Sequence, residues 1–187
     1  MNGLIKTVDR FILTGPPGSG KTTIIRHLAK DGFTTVEEAA TDVMAAWHRQ
    51  GIEEPWTCPP FVDAIVETQR DRQINLGDAG ENSVPKIQFY DRSPVCTLAL
   101  ANWLGLPVSD ALRFEIERIR RERVYRPEVF FVRSLGFVTP TEARRISLAD
   151  SIRFGELHED AYLALGFKLT TSIRQRYFRE QRPLSAA

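Results

Sequence analysis

Cysteine is scarce in this chain, with Cys58 and Cys96 the only two in 187 residues. Two cysteines cannot supply a framework of spaced pairs, which excludes a disulfide-built scaffold. Both are expected to be reduced packing residues of a cytoplasmic protein. Histidine is nearly as rare, at three, and no zinc-ligand spacing occurs. No apolar run approaches the roughly 18 residues needed to cross a bilayer, so no membrane span is expected. The start, Met1-Asn2-Gly3-Leu4-Ile5-Lys6, lacks the apolar core and small-residue cleavage site of a secretory signal. A formal charge of +1 leaves no global electrostatic footprint for nucleic acid or an anionic membrane. There is neither an internal repeat nor a low-complexity segment.

What remains is an ordinary globular composition, 42% hydrophobic and 26% charged, long enough for one domain with a sizeable core. Within it lies one stretch with explicit chemistry, Gly15-Pro16-Pro17-Gly18-Ser19-Gly20-Lys21-Thr22. It follows the apolar Phe11-Ile12-Leu13 and opens onto Ile24-Ile25-Arg26-His27-Leu28, which reads as a helix. Gly-x-x-x-x-Gly-Lys-Thr is a phosphate-binding loop when it joins a strand to a helix, as here. Backbone N–H groups converge on phosphate oxygens, and the helix N-terminus adds unpaired donors and partial positive charge. Lys21 is placed to reach the β- and γ-phosphates, and the Thr22 hydroxyl to ligate Mg²⁺. ATP is therefore the expected ligand, held by Gly15, Pro16, Pro17, Gly18, Ser19, Gly20, Lys21, Thr22 and Thr23, with Mg²⁺ as cofactor. No Asn/Thr-Lys-x-Asp segment for guanine follows, which disfavours GTP.

Taken in order, the chain alternates strand and helix. A strand over about 10–14 and a helix over about 21–30 flank the loop, with Asp31-Gly32 as the helix stop. Phe33-Thr34-Thr35-Val36 is β-branched and aromatic, hence a second strand. A helix is expected from Glu37 through Met44, with acids in its first turn. Prolines make 51–60 a loop, and a helix follows over 61–76, with Phe61, Ile65, Thr68 and Arg72 at helical spacing. The polar stretch 77–83 reads as a flexible insertion. A third strand runs over 86–90 and ends at Asp91-Arg92-Ser93-Pro94; the helix after it, 95–104, is apolar nearly all round and should be buried. Leu112, Ile116 and Ile119 stripe a charged helix. Val129-Phe130-Phe131-Val132 is a strand buried on both faces. Phe154, Leu157, Ala161 and Leu165 share a face of a long helix, Gly166-Phe167-Lys168-Leu169 is a last strand, and a terminal helix is expected from Ser172.

The pattern implies an α/β fold: a three-layer P-loop sandwich around a mostly parallel five-stranded sheet, one domain over 1–187. Ligands in such sheets sit beyond the carboxyl ends of the strands, so the residues there carry the chemistry. Asp91 ends an apolar strand, the arrangement of a carboxylate that holds Mg²⁺ beside the loop. Mechanical ATPases place a second acid next, to orient water; this chain has Arg92, which argues for transfer to an acceptor over hydrolysis. Glu37 or Glu38, with Glu38 preferred, is the candidate to take the proton from an attacking hydroxyl. Arg133 follows the fourth strand. Arg144 and Arg145 are candidates to neutralise the transferring phosphoryl group, on a lid expected around 139–150. Trp56 and Phe61 could line an acceptor pocket. The Arg118, Arg120, Arg121, Arg123 and Arg126 cluster alternates with Glu115, Glu117 and Glu122 and reads as a salt-bridged helix face.

The chain resembles the NadR-like P-loop ATPases, the AAA ATPase-like group that includes ribosylnicotinamide kinase domains. The resemblance spans most of the chain: Gly15 to Thr22, Val36-Glu37-Glu38-Ala39, Gly51 to Trp56 with Phe61 and Gln69, Tyr90-Asp91-Arg92-Ser93, and Arg144-Arg145 with His158, Tyr162 and Gly166. Asp-Arg-Ser after the third strand is also similar to deoxynucleoside kinases. These resemblances imply a nucleoside-kinase-type fold, an arginine-bearing lid, and a glutamate near the acceptor hydroxyl. The adenylyltransferase and DNA-binding parts of the multifunctional namesake are not expected here. The expected activity is Mg²⁺-dependent transfer of the ATP γ-phosphoryl group to a small acceptor, a nucleoside, nucleotide or ribosyl compound. The alternative is a nucleotide-dependent binding module or switch with slow hydrolysis.

Overall fold

The computed structural model describes residues 8–76, 87–137 and 146–171. The expected insertion at 77–83, the segment 139–145 with Arg144 and Arg145, and the expected helix from Ser172 lie outside the described residues. Five strands, β1 (Asp9–Thr14), β2 (Thr34–Val36), β3 (Ile87–Asp91), β4 (Glu128–Phe131) and β5 (Lys168–Thr170), form one sheet in the order β2-β3-β1-β4-β5. Each of its four neighbouring pairs is parallel. Among the described residues six α-helices connect and cover it: α1 (Lys21–Lys30), α2 (Ala39–Arg49), α3 (Pro60–Asn75), α4 (Pro94–Trp103), α5 (Asp110–Arg121) and α6 (Leu148–Ala164).

The central strands are apolar, but β4 is not buried on both faces as expected: Phe130, with Phe11 and Phe89 beside it, is only partly buried. Ile12, Leu13 and Val129 are fully buried, each contributing about 1.5–3 kcal/mol of apolar burial. Ile12 and Val129 belong to a core shared with Val62 and Val66 of α3, Ala99 of α4, Leu112 and Ile119 of α5, and Tyr162 of α6. The apolar stripe of α5 is thus inside. Arg118 bridges the edge of this buried face, bonded to the buried Glu115 at 2.7 Å and to the exposed Glu122 at 3.2 Å. That cluster is a structural face, as its alternating charges predict.

Two helices differ from their sequence patterns. α2 starts at Ala39, with Glu38 at its N-cap, so Glu37 and Glu38 precede its first turn. Glu38 turns its carboxylate elsewhere, and the Glu37 carbonyl instead accepts from Arg72 Nη1 at 2.8 Å. On α6 the buried face is Ser151, Phe154, Gly155, His158, Ala161 and Tyr162, with Leu157 and Leu165 only partly buried. The apolar pattern had placed this face slightly off, because two of the buried residues are polar.

Candidate functional site

Strand order fixes which residues meet. β1 is central, and its last carbonyls extend the ladders past both neighbours: Arg92 N–H donates to Leu13 O at 3.0 Å, and Val132 N–H to Thr14 O at 2.8 Å. The turn that follows β1 is therefore flanked by Asp91-Arg92 on one side and Val132 on the other. Gly15 adopts φ 131°, and a Cβ there would lie 2.2 Å from the Val132 carbonyl oxygen, so only glycine fits this approach. From Gly15 the loop turns into α1 with Gly20 at its N-cap.

Lys21 lies across the loop, its Nζ donating to Gly15 O at 3.0 Å, Pro16 O at 2.9 Å and Ser19 Oγ at 3.2 Å. Burial, reinforced by the neighbouring Arg92 guanidinium, lowers its ammonium to about 7. Thr22 Oγ1 donates to Asp91 Oδ2 at 3.4 Å, which joins the start of α1 to the end of β3. Burial, then the charge of Glu38, raises the Asp91 carboxyl. Its other oxygen, Oδ1, is buried without a hydrogen-bond partner among the described residues. An orphaned carboxylate oxygen beside a threonine hydroxyl is a hard-oxygen donor set that fits Mg²⁺. Among the described residues no group of three His, Cys, Asp or Glu side chains could hold a metal. Mg²⁺ does not need one, since it binds through one or two carboxylates together with phosphates and water.

Arg92 is a non-glycine residue at φ 74°, a conformation that costs an L-residue about 1–2 kcal/mol. That turn carries its guanidinium between α2 and α6. Nε lies 2.5 Å from Glu38 Oε1, and Nη1 donates to His158 Nε2 at 2.7 Å. Burial alone would lower the arginine, yet Glu38 holds it above its usual value, firmly charged. Glu38 Oε2 accepts from the Thr41 hydroxyl at 3.0 Å. Of the two candidate acids, it is Glu38 that faces this site, while Glu37 is exposed.

Beside this ion pair opens a cavity of about 740 Å³. Glu38, Arg92 and Pro17 stand on the side of the loop; Trp56, Phe61, Trp103 and Phe154 give aromatic surfaces; Gln69, Thr97 and Asp150 add polar groups. Thr97 Oγ1 donates to Gln69 Oε1 at 2.9 Å, fixing the amide. Trp56 and Phe61 thus line the cavity, as their position beside the prolines suggested. Arg133 is exposed and not among the lining residues. Beneath the site, Tyr162 hydroxyl meets Ser93 Oγ at 2.7 Å and Cys96 Sγ at 3.2 Å, and Cys96 meets Thr14 Oγ1 at 3.2 Å. Both cysteines are free thiols.

Ser151, Gly155 and His158 carry no flag in the apolar pattern of α6, yet all three serve this site. Ser151 Oγ donates to Pro17 O at 2.8 Å, and an added Cβ at Gly155 would sit 3.1 Å from the Pro16 ring. The legible signal was a run of small and polar residues at positions i, i+4 and i+7 of one helix.

Comparison with known proteins agrees with this fold. The model of one family, an AAA domain (AAA_28), matches residues 10–181. No curated protein matches the sequence significantly. Among solved structures, a NadR protein in complex with NAD and AMP-PNP is similar over 88% of this chain, at TM-score 0.59 and 19% identity. A NadR protein in complex with NR is similar over 96% of it, at TM-score 0.60 and 18% identity. The chain spans 44% and 47% of the length of those two proteins, and at these identities the likeness is one of fold. No helix among the described residues is long and apolar enough to cross a membrane. With the family matching nearly the whole chain, and with the nucleotide-binding loop and parallel sheet both in place, this chain belongs to the AAA domain family of P-loop proteins.

Proposed function

We propose that this chain is a single-domain, Mg²⁺-dependent phosphotransferase that moves the γ-phosphoryl group of ATP to a small hydroxylated acceptor. The observation that carries this reading is the Glu38–Arg92 ion pair at the rim of a 740 Å³ cavity, beside the loop. A hydrolase needs only room for water. A cavity of this size with aromatic walls suits a planar ring bearing hydroxyl groups. The neighbours' contents support the same reading: AMP-PNP and NAD in one NadR structure, NR in the other.

The roles follow from the atoms. The loop backbone from Gly15 to Thr23 binds the triphosphate, with Lys21 as its cation. Thr22 and Asp91 would hold Mg²⁺, which when bound offsets charge on the β- and γ-phosphates. Glu38 takes the proton of the acceptor hydroxyl as that oxygen bonds to the γ-phosphorus; the bond to the β-phosphate oxygen breaks and ADP leaves. Arg92 offsets charge on the phosphoryl group in transit. The test is a screen of nucleosides, nucleotides and ribosides for ADP formation that requires the acceptor.

Lys21 supplies a second check. At pH 8 an ammonium brought down to about 7 is mostly neutral, and a tetra-anionic triphosphate beside it restores its charge. ATP binding is therefore expected to take up as much as about one proton near pH 8. Calorimetry in buffers of different ionisation enthalpy measures this directly. Enthalpies that do not vary with buffer would contradict the loop lysine's assignment.

A further inference from the structure

We propose that His158 is a positioning residue for Arg92, and that α6 uses it to align the guanidinium with the phosphate-binding loop. A guanidinium has only donors, so the 2.7 Å contact from Arg92 Nη1 requires a lone pair on His158 Nε2. The other ring nitrogen supplies it: Nδ1 donates to the Phe154 carbonyl at 2.7 Å, which fixes the proton on that side. The ring is fully buried and packs on Phe154 with centroids 4.4 Å apart, so it has little freedom to turn. Burial and the facing Arg92 charge also hold the imidazole neutral.

The placement serves Arg92 in two ways. The residue sits on a left-handed turn, and its guanidinium pairs with Glu38 through Nε, 2.5 Å from Oε1. A second contact at Nη1 fixes the plane of the fork. A neutral acceptor does this without cancelling charge, whereas a second carboxylate would leave the group net negative and unfit to offset a phosphoryl group. The same helix carries Ser151, bonded to Pro17 O at 2.8 Å, and Gly155, seated against the Pro16 ring. One rigid element thereby sets both the donor loop and the arginine.

The kinetic readout rests on the phosphotransferase reading; the contact itself is read independently. In the full chain, His158→Leu removes the acceptor while keeping an apolar side chain of comparable bulk, and His158→Gln returns an oxygen near the place of Nε2. His158→Leu is expected to lower kcat roughly 10- to 100-fold, the effect of removing one hydrogen bond to a charged group, with KM for ATP changed less than about threefold. His158→Gln is expected to recover most of that loss. In the unmutated protein, ¹⁵N NMR should show His158 as the neutral Nδ1–H tautomer. Full kcat in His158→Leu, or equal losses in both variants with matching falls in Tm, would overturn the proposal, as would a protonated Nε2. If no acceptor stimulates ADP formation by the unmutated protein, the phosphotransferase reading fails, and the tautomer still decides whether His158 accepts from Arg92.

Discussion

Asp91→Asn is expected to abolish Mg²⁺-dependent transfer, by about a thousandfold or more, while leaving most of the Mg²⁺-free affinity for ATP. Its carboxylate accepts from the Thr22 hydroxyl at 3.4 Å, and Oδ1 is buried without a hydrogen-bond partner among the described residues. An amide keeps the shape and the acceptor oxygen but removes the charge that draws a divalent cation. Loss of metal-assisted charge offset at a phosphoryl group accounts for a barrier increase of about 4 kcal/mol. The fold should tolerate the change. Burial and Glu38 raise the Asp91 carboxyl above its unfolded value, so the unfolded chain releases this proton more readily. The group's contribution is fully present below the unfolded value and is lost as pH rises through the raised folded one. At neutral pH the carboxylate therefore works against stability, and Asn should leave Tm equal or higher. Titrating Mg²⁺ against transfer rate and ATP affinity checks the claim. Retained turnover would remove Asp91 from the metal site.

Much of this site is legible in the sequence because each part has a local signature. The loop is contiguous, and a parallel sheet puts every strand end on one edge. Asp91 and Arg92 could thus be assigned to the loop's side from sequence alone, and the strand order β2-β3-β1-β4-β5 places them there. The choice between Glu37 and Glu38 was not legible. It depends on the turn entering α2, which points successive side chains in different directions and sends Glu38 to Arg92. His158 stands among the residues of the family resemblance, but the apolar pattern gives it no role. Hydrophobic periodicity weights apolar residues, so it shifts the inferred face of α6 away from Ser151 and His158, which are buried because they bond to the loop and to Arg92. Buried polar residues on a helix face look like noise in the pattern until their partners, distant in sequence, are known.

Lys21→Ala is expected to lower kcat/KM for ATP by roughly a hundred- to a thousandfold, about 3–4 kcal/mol of charge stabilisation in a water-poor site. Its Nζ is the loop's own cation and is buried among the Gly15 and Pro16 carbonyls. Relative to the unmutated chain, the variant's stability should hold at high pH and improve as pH falls toward about 7. Folding lowers this ammonium to about 7, so between about 7 and its unfolded value the folded chain binds fewer protons and stability rises with pH. Alanine removes that dependence. A variant with unchanged ATP kinetics would show that the loop binds phosphate without its lysine. A collapse in Tm at pH 7 would show that the side chain is structural.

Whether ADP formation needs an acceptor decides between transfer and slow hydrolysis. The measurement is steady-state ADP formation by the unmutated chain with ATP and Mg²⁺, with and without a panel of nucleosides, nucleotides and ribosides, and with product phosphorylation followed by ³¹P NMR. Phosphotransfer predicts that one acceptor class raises ADP formation at least about tenfold and appears as an equal amount of phosphorylated product. ADP formation at one slow rate whatever is added, with inorganic phosphate as the product, would contradict it and identify a nucleotide-dependent switch.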